Sequence, residues 1–172
     1  MDRYYTGVGS RETPAPVCDA LTIVARQLAR AGYTLRSGGA PRADLAFEAG
    51  AGVRKHIYLP WRGFNGSDSS LYTFDPAVLA RAKAIAAKHH PKWWQLSDAV
   101  KRLHTRNVFQ VLGDDLDSPS EFVICWTRNG EIVGGTAQAI RIALTYHVPI
   151  INLGSALGHQ KLKELLTRIE IV

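Results

Sequence analysis

The chain is predicted to fold as α/β, with a mostly parallel sheet carrying helices on both faces. Three observations predict it. Short β-prone apolar runs alternate with helical stretches along most of the 172 residues, and that alternation implies βαβ units and a parallel sheet. Glycine-rich turns follow several of the predicted strands directly. Hydrophobic residues make up 46% of the chain and charged residues 21%, a composition that can close one core and does not read as disordered.

The elements follow in order. Tyr4 to Gly7 is a short β-prone run. Pro14 opens a helix with Leu21, Val24, Ala25 and Leu28 on one face, ending near Gly32, as a proline start and a glycine stop favour. Tyr33 to Arg36 reads as a second strand, Ala43 to Ala51 as a short helix, and His56 to Leu59 as a third strand stopped by Pro60. Phe122 to Trp126 is a strongly apolar fourth strand, Thr136 to Tyr146 a helix, Val148 to Leu153 a fifth strand and His159 to Arg168 a terminal amphipathic helix. Residues 61–96 interrupt the pattern with a turn-rich loop, then a helix from Pro76 to His89 with Asp75 as its cap. Ser97 or Asp98 caps a long helix through Leu112. We expect one domain over residues 1–172, with 61–96 as an inserted loop-helix segment too short to be a domain itself.

Lys and Arg number 21 against 15 Asp and Glu, a net charge of +6. A basic balance favours a phosphate-bearing or polyanionic partner. No run of about 18 apolar residues occurs, so no membrane span is expected. The start, MDRYYTGVGSRE, lacks the apolar region of a secretory signal. Cys18 and Cys125 lie in apolar surroundings and are expected to be core thiols of a reducing compartment. These features together predict a cytoplasmic protein. The histidines show no HxxxH or HxH spacing and neither cysteine joins a cluster, so no metal is expected. GxSxG and the P-loop lysine motif are both absent, which argues against a nucleophile-elbow hydrolase and P-loop NTP hydrolysis. No cofactor is expected.

Loops at the carboxyl ends of parallel strands form the usual ligand crevice, and unusual residues occupy them here. Gly7 to Arg11, GVGSR, follows the first strand. Its glycines permit a tight turn with exposed N–H groups, Ser10 adds a hydroxyl and Arg11 a fork of donors, a set that suits phosphate. An ordinary βα turn with a solvated arginine is the plainer alternative. Ser37 to Asp44, SGGAPRAD, follows the second strand. Gly38 and Gly39 allow close backbone approach. Asp44 and Glu48 lie four apart on one helix face, where they could hold a ribose, serve as acid and base, or simply complement the helix dipole. Gly134, Gly135 and Thr136 open a helix after the fourth strand. Three such loops at successive strand ends point to one crevice for an anionic ligand.

YTGVGSR followed by LRSGGAPRADLAFEAGA resembles the DNA-processing protein A (Smf, DprA-like) family, a Rossmann-like group whose loops read GSR and SGGARGID in the same order. GGTAQAIRIA followed by VPIINL is similar to the glycine-rich helix start of the related LOG proteins. Both groups belong to the SLOG superfamily, and the likeness covers nearly all of the chain, weakest across 61–96. The compact form is similar to DprA-like proteins of bacteriophages.

The resemblance implies a Rossmann-like sheet with its ligand over the strand ends. In DNA-processing members the ligand is single-stranded DNA and the protein helps load a recombinase. Gly9, Ser10 and Arg11 with Ser37, Gly38 and Gly39 would then contact phosphate. In LOG enzymes a nucleoside monophosphate loses its base by hydrolysis. Their MHxRK helix is partly matched by Leu103, His104, Thr105, Arg106 and Asn107, so Arg106 would be the catalytic arginine of a hydrolase. The LOG glutamates, however, are replaced by Gln138 and Ala139, and an amide cannot act as a general base. A homodimer is implied as well.

Aromatic residues complete the expected ligand set. Trp61 and Asn65 follow the third strand and Trp126 ends the fourth. An aromatic face at a crevice can stack a base, worth on the order of 1–3 kcal/mol. HHPKWW, His89 to Trp94, reads either as part of a nucleic-acid path or as core and dimer contacts. The sequence thus points to a binding protein for single-stranded DNA. A small-nucleotide sequestering protein of phage–host conflict and a LOG-like hydrolase are the rivals.

Overall fold

A computed structural model describes residues 2–170. Five strands form one all-parallel sheet in the order β3-β2-β1-β4-β5. They are β1 (Arg3–Gly9), β2 (Tyr33–Ser37), β3 (Lys55–Ile57), β4 (Val123–Trp126) and β5 (Ile150–Asn152). Among the described residues six α-helices accompany them: α1 (Ala15–Arg30), α2 (Ala43–Ala51), α3 (Pro76–His89), α4 (Asp98–Leu112), α5 (Thr136–Thr145) and α6 (Ala156–Glu170). Among the described residues no helix is long and apolar enough to cross a membrane.

Strand periodicity divides the core into two layers, because successive side chains point to opposite faces. Tyr5 and Ile124 pack with Leu21 and Leu28 of α1, Phe47 of α2 and Leu165 of α6. Val8, Val123 and Cys125 face the other way, onto Ala82 of α3, Phe109 of α4 and Ile140 of α5. The central strands are covered on both sides, which explains why they read as apolar runs rather than as alternating ones.

The caps follow local chemistry. Asp75 accepts hydrogen bonds from the backbone N–H groups of Ala77 and Val78 at 2.9 and 3.2 Å. Ser97 accepts from Val100 N at 3.3 Å, so serine rather than Asp98 caps α4. Residues 61–96 interrupt the alternation in sequence but not in the core. Trp93, Ala82 and Ala86 are buried in the second layer, and Tyr58 bridges in parallel to Leu71 beyond the turn-rich loop. HHPKWW splits accordingly: Trp93 is core, whereas Trp94 is 86% exposed. Both cysteines are free, and burial pushes the Cys125 thiol up to about 12.

Candidate functional site

The chain runs from the central strand β1 outward to β2 and β3, then returns to add β4 and β5 on the other side. The order therefore reverses between β1 and β4, and loops at a reversal diverge to leave a crevice over the carboxyl strand ends. A cavity of about 360 Å³ lies there, lined by Gly9, Arg11, Asp44, Arg106, Gln110 and Thr136 among others. All three glycine-bearing loops reach it, through Gly9, Ala40 and Gly135.

Asp44 ties two of those loops together. Its Oδ1 accepts from Gly9 N at 3.2 Å and its Oδ2 from Ala40 N at 3.3 Å. Arg42 adds a second tie, donating from Nε and Nη2 to the Thr13 carbonyl at 3.0 and 2.8 Å. Gly9 makes the approach possible, since a Cβ there would lie 2.5 Å from the Ala43 Cβ. The Ser10 amide is also engaged, donating to Trp126 O at 3.1 Å, and the Ser10 hydroxyl accepts from Glu12 N at 3.0 Å. The amides of Gly9 and Ser10, expected to face a phosphate, are thus bonded within the protein.

Positive potential in the crevice comes from other groups. Arg11 is exposed at its rim and, among the described residues, enters none of the ion pairs. The N-terminus of α5 enters through Gly135 and Thr136 without a side-chain cap, leaving N–H dipoles that favour an anion. Arg106 is buried on the floor, donating from Nη1 to the Gly38 carbonyl and from Nε to Asn107 Oδ1 at 3.2 Å. Gly38 permits this contact, because a Cβ at that position would overlap the side chains of Arg106 and Gln110. Asn107 in turn donates to Gly135 O at 3.4 Å, tying α4 to the start of α5.

Burial sets the protonation states. Desolvation raises the Asp44 carboxyl to about 6, opposed by the positive charge of Arg106 and by its backbone hydrogen bonds. Desolvation lowers the Arg106 guanidinium to about 10, opposed by Asp44. His104 lines the same cavity and is pushed down to about 4, first by burial and then by His90, Arg141 and Arg106.

The structure gathers Gly9, Arg11, Asp44, Arg106, Asn107, Gly135 and Thr136 at the crevice wall. Other sequence-predicted residues do different work. Ser37 donates its hydroxyl to Gly7 O at 2.6 Å, a bond between neighbouring strands. Gly39 offers its carbonyl to Asn65 Nδ2 at 2.9 Å, so Asn65 braces the loop. Trp126 packs, half-buried, against the first core layer. Gly134 takes a φ of 69° in the turn that precedes α5. Gln138 is fully buried away from the crevice. It donates to Ala86 O at 2.9 Å and accepts from Arg141 Nη2 at 3.3 Å, because its position on α5 faces α3. Glu48 pairs with Lys55 at 2.8 Å. Trp61 lines a separate cleft, edge-on to Phe64 with centroids 5.4 Å apart.

One crevice group, Gln110, carries no strong sequence signal. Gln110 is 1% exposed, and both its amide oxygen and nitrogen lack a hydrogen-bond partner. His104 Nδ1 is also buried and unpaired. Buried polar atoms are normally satisfied, so these three stand out, covered beneath the floor of the crevice. Gln110 stands one helical turn beyond Arg106, and that i, i+4 spacing was the signal available. Among the described residues no cluster of three or more metal-type ligands occurs.

Fold and crevice together define a Rossmann-like α/β domain with a pocket lined by Arg11, Arg106 and Asp44 at its topological switch point. The chain is similar in structure to DNA processing protein A from Helicobacter pylori, a protein described for its single-stranded DNA binding mode, with a TM-score of 0.52 and 17% identity over 95% of this chain and 73% of that one. No protein-family model matches the chain, and no curated protein matches it. At this identity the likeness establishes the fold.

Proposed function

We propose that this protein binds single-stranded DNA, holding one nucleotide unit in the crevice at the β1/β4 switch point. The observation that carries the reading is the convergence of Arg11, Arg106 and the uncapped N-terminus of α5 on one crevice. Its volume of about 360 Å³ is at the low end for small-ligand sites, suited to a single nucleotide rather than a length of strand. Phosphate sits at the rim by Arg11 and Thr136. The sugar or base lies over the floor, which Gln110 and His104 line. The structural likeness to a single-stranded DNA-binding protein supports this reading.

Binding rather than turnover fits the carboxylates. Asp44 already accepts one backbone hydrogen bond on each oxygen, and Glu48 is paired with Lys55. Asp44 therefore serves as a tie between loops. The test is fluorescence anisotropy with a labelled oligothymidylate across a salt series. Wild type binds, with affinity falling as salt rises, and Arg11→Ala weakens binding about tenfold and lowers the salt slope by roughly 0.7. Absent binding, or affinity indifferent to salt and to Arg11, contradicts the reading.

A further inference from the structure

A second depression of about 570 Å³ lies on the other flank of α4. The helix separates the two spaces. Val100, His104, Asn107 and Gln110 face the crevice, whereas Lys101, Arg102, Thr105 and Phe109 face the cleft. Arg106, itself buried, lines both, so one side chain lies between the two spaces.

The charge balance differs sharply between them. The crevice sets Arg11 and Arg106 against Asp44. The cleft sets Arg62, Lys83, Lys101 and Arg102 against Asp98, in addition to the shared Arg106. Among the described residues, none of those four cations enters an ion pair. Like charges left unpaired around a concave surface repel one another, and a polyanion relieves that repulsion. The cleft also has aromatic surface. Trp61 is 36% exposed at its edge, and Phe74 and Phe109 lie stacked in its wall with centroids 3.9 Å apart. A cationic groove with an accessible aromatic face is the combination that tracks single strands, the cations meeting phosphates and the ring stacking a base.

We propose that the cleft binds the nucleotides adjoining the one held in the crevice, so that a single strand crosses α4 at Arg106 and is neutralised mainly on the cleft side. This rests on the single-stranded DNA reading of the crevice and adds the path of the strand and the seat of its salt dependence. The crevice with its near-balanced charge places one unit. The cleft supplies the electrostatic affinity.

The experiment compares oligothymidylates of 4 and 12 nucleotides with wild type, Arg11→Ala, and the double variant Lys83→Glu with Arg102→Glu. Both reversed side chains are exposed on helices, and circular dichroism checks that the fold is kept. Wild-type affinity rises with length. The double variant loses that rise, binds the 12-mer at least tenfold more weakly at low salt, and has a salt slope smaller by about 1.4, roughly 0.7 for each phosphate contact removed. A double variant that keeps the wild-type length dependence and slope, while Arg11→Ala loses binding, overturns the cleft and leaves the crevice standing. Wild type that binds neither oligomer overturns the crevice reading itself.

Discussion

Asp44 and Arg106 share the crevice without forming an ion pair. Both are buried, yet among the described residues none of the ion pairs joins them. Asp44 is held by the amides of Gly9 and Ala40, Arg106 by the Gly38 carbonyl and Asn107. Each charge is oriented by neighbouring dipoles rather than neutralised by the other. The floor therefore keeps a polar character that a collapsed pair would lose.

That arrangement predicts a compensation in pH dependence. The Asp44 carboxyl is raised to about 6, so its contribution to stability is full below its unfolded value near 4 and is lost as pH rises through about 6. The His104 imidazole is lowered to about 4, so its contribution is full above about 6.5 and is lost as pH falls through about 4. The slopes oppose each other in one window, that of Asp44 worth on the order of 3 kcal/mol and that of His104 less, because solvent screens it. Urea denaturation between pH 4 and 6.5 reads both. Relative to wild type, His104→Gln loses stability as pH rises, and Asp44→Asn gains it. Parallel pH courses for all three proteins contradict the assignment.

The unpaired amide of Gln110 predicts a trade of stability for binding. An unsatisfied buried polar group costs about 1–3 kcal/mol, and methionine nearly conserves the side-chain volume. Gln110→Met is expected to raise the unfolding free energy by about 1 kcal/mol while weakening oligonucleotide binding several-fold. Chemical denaturation and anisotropy on the same preparation measure the two effects. A variant that loses stability and binds normally shows that the amide serves the fold instead.

Much of this fold was legible because it is written locally. The bounds of α2 and α3 and the Asp75 cap follow from runs of adjacent residues. β3 is shorter than its apolar run, Lys55–Ile57, because Tyr58 turns to a bridge with Leu71. α6 begins three residues before its predicted start, at Ala156, since the Ser155 hydroxyl accepts from Gly158 N and opens the turn earlier. The lining of the crevice was legible where a loop follows a strand, as at Gly9, Arg11 and Asp44. On helix faces it was legible only through the family resemblance, as at Arg106 and Asn107. Gln138 and Gln110 are both glutamines on helices, and only the packing of α5 on α3 and of α4 over Gly38 sends one into the core and the other into the crevice. Ser37 misled for a similar reason, because its hydroxyl bonds across to the neighbouring strand at Gly7.

The close approach of the first two loops predicts a steric effect at Gly9. An added Cβ would stand 2.5 Å from the Ala43 Cβ and 3.4 Å from Trp126 O, and overpacking of this kind costs about 1–3 kcal/mol. Gly9→Ala is expected to lower the thermal midpoint and to weaken DNA binding, since separating the loops pulls the Gly9 amide from Asp44. Thermal denaturation checks the first effect and anisotropy the second. Unchanged values for both contradict the account of how the loops are joined.

Amide chemical-shift mapping reads out where the strand touches the protein. A rival surface exists, a groove of about 640 Å³ at the opposite, amino ends of the strands, with Arg30, Lys161 and Arg168 along it. Titrating isotope-labelled protein with a short oligothymidylate is predicted to shift the amides of Arg11, Ala40, Gly135 and Thr136 together, with Lys101 and Arg102 following as the oligomer lengthens. Shifts confined to the groove around Arg30 and Arg168, with the crevice amides unmoved, would contradict the account.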